Sequence, residues 1–178
     1  MDFWTGDTHL GHYNIIKYCN RPFDSIDEHD SHIINNINEK VKQKDRLYIA
    51  GDFCFCGIGK KIDISKAVSY RCRINCENVI LIVGNHDRYA LQHQQFRDLF
   101  LSIHDLLYYR GHNIESQVCH YSMNVWNKSN HGSYHFFAHS HGTEIGKYMS
   151  GDVGVDVHNF YPLSTFELVE YINKKWSK

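Results

Sequence analysis

The chain has 178 residues, of which 42% are hydrophobic and 14% aromatic, and these fractions exclude an intrinsically disordered protein. Its 19 Lys and Arg residues nearly balance 20 Asp and Glu residues, so the composition argues against a broad cationic surface for non-specific binding of nucleic acid. No apolar run reaches the length of a membrane span, and no signal-peptide pattern is present. We therefore expect one domain over residues 1–178, in the cytoplasm and without a membrane partner.

Three short apolar runs in the first half predict strands, and each run ends at a turn that contains glycine. The strands are predicted over residues 3–5, 46–50 and 78–83, and the turns begin at Gly6, Gly51 and Gly84. Runs of this length that are rich in β-branched residues, without alternation of polar side chains, are typical of strands buried on both faces.

Helical spacing of apolar residues lies between these strands. The clearest pattern predicts a helix over residues 25–41, with Ser25 as its N-cap and Glu28 completing a capping box. Weaker patterns predict helices over residues 64–70 and 91–100. This alternation of strand and helix is typical of a sheet with parallel strands.

Consecutive strands dominate the second half of the chain. Residues 106–110 and 114–120 predict a hairpin, residues 134–138 and 153–157 predict two more strands, and residues 164–175 predict a closing helix. The whole pattern predicts an α/β fold, a two-sheet β-sandwich flanked by helices in four α/β/β/α layers.

Polar side chains with metal-binding chemistry follow the predicted strands. They form five motifs along the chain: Asp7-Thr8-His9, Gly51-Asp52, Gly84-Asn85-His86-Asp87, the hairpin residue His120, and His139-Ser140-His141. Each motif alone is also typical of an ordinary turn. In open α/β sheets, however, ligands bind beyond the carboxyl ends of the strands, where these motifs lie. The chain also holds 14 histidines, a residue type whose imidazole suits metal ligation.

The five motifs, in this order, resemble those of the calcineurin-like metallophosphoesterase superfamily, over essentially the whole chain. The flanking segments 11–23 and 154–160 resemble a compact phage and bacterial branch. The resemblance implies two divalent metal ions, with manganese favoured and iron, zinc, cobalt or nickel as alternatives. It implies that one ion is held by Asp7, His9 and His141 and the other by Asn85, His120 and His139, while Asp52 bridges both.

The same resemblance implies a hydrolase that acts on a small phosphoester through a hydroxide that bridges the metals. His86 would be the catalytic general acid at the leaving oxygen, and Asp87 would orient His86 and raise its pKa. Phosphatase and phosphodiesterase activity both stay open, as does the oligomeric state.

Three positions depart from the superfamily pattern without removing a ligand. Gly6 stands where many relatives have Ser, Ser122 stands where the branch has Pro, and Ala138 stands where Gly is usual. Since Gly adopts positive φ more readily than Ala, the residue before His139 has less conformational freedom than in relatives.

Other residues are candidates for contacts around the metals. His12 and Asn14 could line the substrate pocket or cap a helix, and Arg21 could grip a phosphate or lie on the surface beside Pro22. Asp156 could support a ligating histidine or belong to a turn. Tyr121 and Trp126 could stack against an aromatic substrate group, although core packing is favoured for both.

Three alternative interpretations compete with this one. The chain could be a metal-binding scaffold with weak catalysis, or a nuclease acting on nucleic-acid ends, which the near-neutral charge does not favour. The pairs Cys54–Cys56 and Cys72–Cys76 could form a structural zinc site, although their spacing matches no common finger pattern.

Overall fold

The computed structural model describes residues 1–57 and 61–177 and contains two β-sheets. The first sheet has five strands, in the order β4-β3-β2-β1-β9. Four of its strands are parallel and β9 is antiparallel to β1. Its members are β1 (Asp2–Thr5), β2 (Arg46–Ile49), β3 (Asn78–Ile82), β4 (Ser102–His104) and β9 (Leu163–Ser164).

The second sheet has four strands, in the order β5-β6-β7-β8. Its strands β5 and β6 form an antiparallel hairpin whose turn residues, His112 and Asn113, both have positive φ. The other neighbours are parallel. Its members are β5 (Leu107–Gly111), β6 (Ile114–Val118), β7 (Tyr134–Phe137) and β8 (Ser150–Asp152).

In the described part of the chain five α-helices accompany the sheets, and side-chain caps set the beginning of the two longest. Ser25 and Ser164 accept hydrogen bonds from the backbone N–H of Glu28 and Glu167 respectively, which satisfies N–H groups that the first turn leaves free. The Glu167 carboxylate also accepts from the Ser164 backbone and completes a capping box. The helices are α1 (Tyr13–Tyr18), α2 (Ile26–Lys40), α3 (Ile64–Arg73), α4 (Gln94–Arg97) and α5 (Thr165–Trp176).

The strands of the first sheet divide their side chains between two hydrophobic clusters, as the alternation of a strand requires. In β1, Phe3 packs with α2 and α3 in one cluster, while Trp4 packs against the second sheet in the other. Trp4 stacks on Tyr48 with ring centroids 4.2 Å apart and meets Phe136 of β7 edge-on at 4.9 Å. The predicted α/β sandwich of two sheets flanked by helices is therefore confirmed.

Two local predictions were wrong, and three short elements were missed. Residues 153–157 were predicted as a strand, but β8 ends at Asp152 and a 3-10 helix (Val155–Val157) follows. Residues 91–100 were predicted as one helix, but the chain forms a 3-10 turn (Ala90–Gln92) and the four-residue α4. The sequence patterns also missed α1, β4 and β9, which are too short for a clear period. In the described residues, no helix is long and apolar enough to span a membrane.

Candidate metal centre

The seven predicted metal ligands lie together at one edge of the sandwich, beyond the carboxyl ends of β1, β2, β3, β6 and β7. Most of them border a cavity of about 810 Å³, large enough for a small organic phosphate. Two groups of three have ligand atoms within 4.8 Å of one another, the spacing that one cation requires. These groups are Asp7 with His9 and His141, and Asp52 with His120 and His139.

The backbone is unusual at five of these seven positions, because it adopts the left-handed conformation without glycine. The residues are Asp7 (φ 52°), His9 (φ 48°), Asp52 (φ 55°), His139 (φ 68°) and His141 (φ 49°). Each such residue costs about 1–3 kcal/mol, and strain of this kind clusters at functional sites. The left-handed backbone turns the side chains of each motif to the same side, so that Asp7 and His9 offer ligand atoms within 4.8 Å of one offered by His141.

The first group has buried polar atoms that lack any partner. Both carboxylate oxygens of Asp7 and the Nε2 atom of His9 are buried without a hydrogen bond. Burial raises the pKa of Asp7 to about 7 and lowers the pKa of His9 well below its usual range, so His9 is neutral and can coordinate. A cation held between these atoms would satisfy all three.

The second group is organised by a hydrogen bond that fixes the tautomer of His120. Its Nδ1–H donates to the carbonyl oxygen of Ala50 over 2.7 Å. The other ring nitrogen, Nε2, therefore faces Asn85 Oδ1 at 3.1 Å and Asp52 Oδ2 at 3.5 Å. Three acceptor atoms that converge in this way need a proton or a cation between them. Although burial opposes it, contact with Asp52 raises the pKa of His120, as expected for a site that attracts positive charge.

Asp52 belongs to the second group and also contacts the first. Its Oδ2 atom is 3.4 Å from His9 Nε2 and 3.5 Å from His120 Nε2, so one carboxylate oxygen contacts an imidazole of each group. Burial raises its pKa, but the hydrogen bond and charge of His120 and the charge of His9 outweigh burial and lower it to about 2. This is the position that a carboxylate shared by two cations requires.

His86 lies inside the same cavity and is half-buried. Its ring centroid is 5.0 Å from that of His9 and 5.3 Å from that of His12. The His86 backbone N–H donates to Asp52 Oδ1 over 2.9 Å, which fixes the turn that carries the imidazole. His12 stacks on Phe55 at 4.7 Å and makes no side-chain cap to α1, so its place is the cavity wall, where Asn14 also lies.

Asp87 does not orient His86, contrary to the role implied by the resemblance. Its carboxylate is completely buried and accepts three backbone hydrogen bonds, from Asp52 (2.9 Å), Phe53 (3.1 Å) and Gly84 (2.9 Å). Burial nevertheless raises its pKa to about 6. Asp87 therefore joins the turns after β2 and β3 and positions Asp52, and its oxygens face the backbone rather than the His86 imidazole. A catalytic role for Asp87 stays a prediction.

Arg21 was predicted either to grip a phosphate or to lie on the surface, and neither prediction holds. Its side chain is fully buried, and all five N–H groups are occupied within the fold. It binds Asp156 bidentately over 2.7 and 2.8 Å and donates to the carbonyl oxygens of Asp7 and Thr8 and to His29. Arg21 therefore anchors the D-x-H turn and has no donor left for a substrate.

Asp156 joins Arg21 to the H-x-H motif, which agrees with its predicted support of a ligating histidine. Its Oδ2 accepts a hydrogen bond of 2.8 Å from His141 Nδ1. Burial opposes protonation of His141, but Asp156, the Cys19 thiol and Asp7 outweigh burial and raise the pKa of His141 to about 10. The D-x-H motif, which Arg21 anchors, and the H-x-H motif, which contains His141, are thus joined through the ion pair of Arg21 with Asp156.

Gly6 and Ala138 meet at a contact that has room for only one Cβ atom. A Cβ atom added to Gly6 would lie 2.8 Å from the Cβ of Ala138, which is closer than carbon atoms can pack. His139 keeps its left-handed backbone (φ 68°) although Ala138 precedes it.

Sequence reasoning missed several residues around the site. Asp152 is buried and accepts hydrogen bonds from Ser140, Gly142 and Gly154, which fixes the loop of the H-x-H motif. The dipeptide Gly151-Asp152 repeats Gly51-Asp52, and this signal was available in the sequence.

Two further side chains, unassigned in the sequence, line the cavity, and a third that was assigned to the core is exposed beside His139. Cys19 and Phe55 line the cavity, and Tyr121 is 39% exposed and lies edge-on to His139 at 4.8 Å. Trp126 is buried, in agreement with the core packing that the sequence favoured.

The cysteine pairs do not form the alternative zinc site. Cys54 and Cys56 are buried with their Sγ atoms 3.4 Å apart, while Cys72 is exposed and Cys76 donates to the Asp45 carbonyl oxygen. No group of three ligating atoms among the described residues includes any of these four thiols.

Comparisons with known proteins place this geometry in context. No protein-family model matches the chain. The structure is similar to that of AQ665, a protein of unknown function from Aquifex aeolicus, with a TM-score of 0.73 and 19% identity over 97% of this chain and 99% of the other. It is also similar to Pseudomonas putida nuclease MPE, with a TM-score of 0.50 and 17% identity over 79% of this chain and 60% of the nuclease. At these identities the similarity is one of fold.

In sequence, the chain is 33% identical to the uncharacterized protein MJ1445 of Methanocaldococcus jannaschii over 175 residues. The match covers 94% of this chain and 89% of the archaeal protein. The chain therefore belongs to the same family as MJ1445.

Proposed function

We propose that this protein is a phosphoester hydrolase that works with two divalent cations, of which manganese is favoured and iron, zinc, cobalt or nickel are alternatives. One observation carries the proposal: Asp52 Oδ2 lies between His9 and His120, at 3.4 and 3.5 Å, beside the unpartnered carboxylate of Asp7. Acceptors packed this closely in a buried site repel one another unless positive charge lies among them.

The ligand sets follow from the two groups around Asp52. One cation would be held by Asp7, His9 and His141, the other by Asn85, His120 and His139, and Asp52 would contact both. Two such cations bind phosphate oxygens and lower the pKa of a water held between them to near neutrality. With nitrogen and oxygen ligands and one neutral amide, the second set retains more positive charge for the substrate than an all-carboxylate set would.

His86 would protonate the leaving oxygen. Its imidazole borders the cavity between His9 and His12, and its turn is fixed by the hydrogen bond from its own N–H to Asp52. Among the described residues no carboxylate contacts its ring, since Asp87 faces the backbone, so the imidazole is open to a substrate oxygen. His12, whose ring lies 5.3 Å from that of His86, and Asn14 would contact the substrate from the cavity wall.

The experiment that tests the proposal is hydrolysis of aryl phosphomonoesters and phosphodiesters in the presence of Mn²⁺, Fe²⁺, Zn²⁺, Co²⁺ or Ni²⁺. Asp52→Asn removes the shared charge and is expected to abolish turnover almost completely. His86→Ala is expected to lower kcat by about 10²–10⁴-fold, the usual contribution of a general acid. His131→Ala is the matched control, because His131 is an exposed histidine in the 3-10 turn Ser129–His131, outside the five motifs.

Circular dichroism of each variant separates loss of chemistry from loss of fold. Wild-type activity in folded Asp52→Asn or His86→Ala would refute the proposal. Absence of turnover by the wild-type protein with every metal, together with bound metal, would favour the catalytically weak scaffold instead.

A nuclease that acts on nucleic-acid ends is the second candidate, and aromatic side chains at the cavity favour it. Tyr18 and Phe55 line one wall, and Tyr121 lies beside His139 on the other side. Aromatic faces stack bases with about 1–3 kcal/mol per base. The structural similarity to nuclease MPE is consistent with this candidate.

End-labelled oligonucleotides distinguish the two candidates. A nuclease is expected to cleave them, and Tyr18→Ala is expected to raise KM for oligonucleotides while leaving kcat for aryl phosphates unchanged. If oligonucleotides stay intact while aryl phosphates are hydrolysed, the nuclease candidate fails and the general proposal stands.

A further inference from the structure

A cysteine adjoins the candidate metal centre outside the five motifs. The thiol of Cys19, the imidazole of His141 and the carboxylate of Asp156 each offer a ligand atom within 4.8 Å of the other two. Cys19 ends helix α1 and is half-buried in the wall of the 810 Å³ cavity, so a hydrated ion can reach it from solvent. The fold therefore brings a soft sulfur ligand to a site whose motifs contain none.

We propose that Cys19, His141 and Asp156 form a separate, thiolate-containing cation site that takes zinc or another thiophilic ion and shares His141 with the candidate hydrolytic centre. Cys, His and Asp are the three side chains that Zn²⁺ prefers, and three protein ligands with one water complete a tetrahedral shell. Sulfur selects zinc over manganese or magnesium, which prefer oxygen.

The local geometry requires only a small adjustment. His141 Nδ1 and Asp156 Oδ2 are 2.8 Å apart. Two ligand atoms on one tetrahedral zinc ion, at bond lengths of about 2.0 Å, lie roughly 3.3 Å apart. An opening of roughly half an ångström is within the rotamer freedom of a cavity-lining histidine.

The charges at the site also suit a thiolate. Arg21 binds both oxygens of Asp156 and offsets the charge of that carboxylate. The Cys19 sulfur supplies the third ligand atom, within 4.8 Å of those of His141 and Asp156. Asp7 places a further carboxylate oxygen nearby. Its Oδ2 atom is buried without a hydrogen-bond partner and lies 3.9 Å from His141 Nδ1.

A zinc ion at this site would compete with the candidate hydrolytic centre for His141. The binding site itself rests on the Cys19 geometry, whereas the inhibition that we expect from it rests on the proposed hydrolytic function. A zinc ion held by Cys19 takes His141 away from Asp7 and His9, so excess zinc is expected to inhibit the manganese-loaded protein.

The test is titration of the manganese-loaded protein with Co²⁺, a spectroscopic substitute for zinc that gives a thiolate charge-transfer band in the near ultraviolet. The wild-type protein and Cys72→Ser, an exposed cysteine used as the matched control, are expected to give the band. Cys19→Ser is expected to lose it. A band that persists in Cys19→Ser, and so comes from the buried Cys54 and Cys56, would overturn the proposal, as would its absence in the wild type.

Inhibition gives the second measurement. Zinc is expected to inhibit aryl phosphate hydrolysis by the wild type and Cys72→Ser, and Cys19→Ser is expected to need more than about tenfold more zinc for the same inhibition. Equal zinc sensitivity of Cys19→Ser and the wild type would contradict the shared use of His141. If no form hydrolyses any ester but the cobalt band depends on Cys19, the proposed function fails and the cation site stands.

Discussion

Replacement of Arg21 by alanine is expected to destabilise the fold rather than weaken substrate binding. The guanidinium is buried, and its removal leaves the Asp156 carboxylate without its bidentate partner and the Asp7 and Thr8 carbonyl oxygens without donors. Breaking a buried ion pair by removing one partner costs about 3–5 kcal/mol. This is a large share of a total stability of about 5–15 kcal/mol.

Urea denaturation followed by circular dichroism measures the effect. With a slope of about 2 kcal/mol per molar urea, the midpoint of Arg21→Ala is expected to fall by roughly 1.5–2.5 M. Arg21→Lys keeps the charge but loses the planar fork, so we expect an intermediate midpoint. Arg88→Ala is the matched control, because Arg88 is exposed and lies 3.9 Å from Asp105, and surface changes of this kind alter stability by less than about 0.5 kcal/mol. An unchanged midpoint together with a raised KM for Arg21→Ala would refute the reasoning and restore the phosphate-binding role.

Three other perturbations have expected outcomes. Asp87→Ala leaves three buried N–H groups without an acceptor, at about 1–3 kcal/mol each, so the urea midpoint is expected to fall steeply; a wild-type midpoint with lost activity would instead indicate catalysis. Gly6→Ala is expected to cost about 1–3 kcal/mol through its clash with Ala138, and Ala138→Gly in the same chain should restore most of that loss; independent effects in the double-mutant cycle would contradict the contact. Saturating Mn²⁺ is expected to raise the Tm by roughly 5–10 °C. The rise should be smaller at about pH 6 than at about pH 8, because burial raises the pKa of Asp7 to about 7 and protons compete with the cation below that value; equal shifts would argue against Asp7 as a ligand.

The positions of the strands, and the edge of the sheet at which the site lies, could be predicted from the sequence for a physical reason. Residues 47–50 and 79–83 are apolar without alternation because both faces of β2 and β3 are buried, one against the helices and one against the second sheet. Parallel strands end at the same edge, so polar residues that follow them had to meet. The sequence pattern and the resemblance therefore brought Asp7, Asp52 and Asn85 to one site.

Contacts that depend on distant residues could not be predicted in the same way. Arg21 and Asp156 are 135 positions apart, and nothing in the local sequence indicates that one binds the other. The contacts of Asp87 could not be predicted, because its carboxylate accepts hydrogen bonds from backbone N–H groups after β2. Only the packed sheet brings these groups near Asp87. The strand predicted over residues 153–157 failed because apolar Val155 is buried by a 3-10 turn instead.

The most direct test of the central claim is the number of metal ions bound per chain, measured by isothermal titration with Mn²⁺ and by metal analysis of the dialysed protein. The account predicts two ions per wild-type chain. Asp52→Asn should weaken both sites, because one carboxylate contacts the ligands of each. One ion or none in the wild type, or two ions bound with unchanged affinity by Asp52→Asn, would contradict the shared site around Asp52.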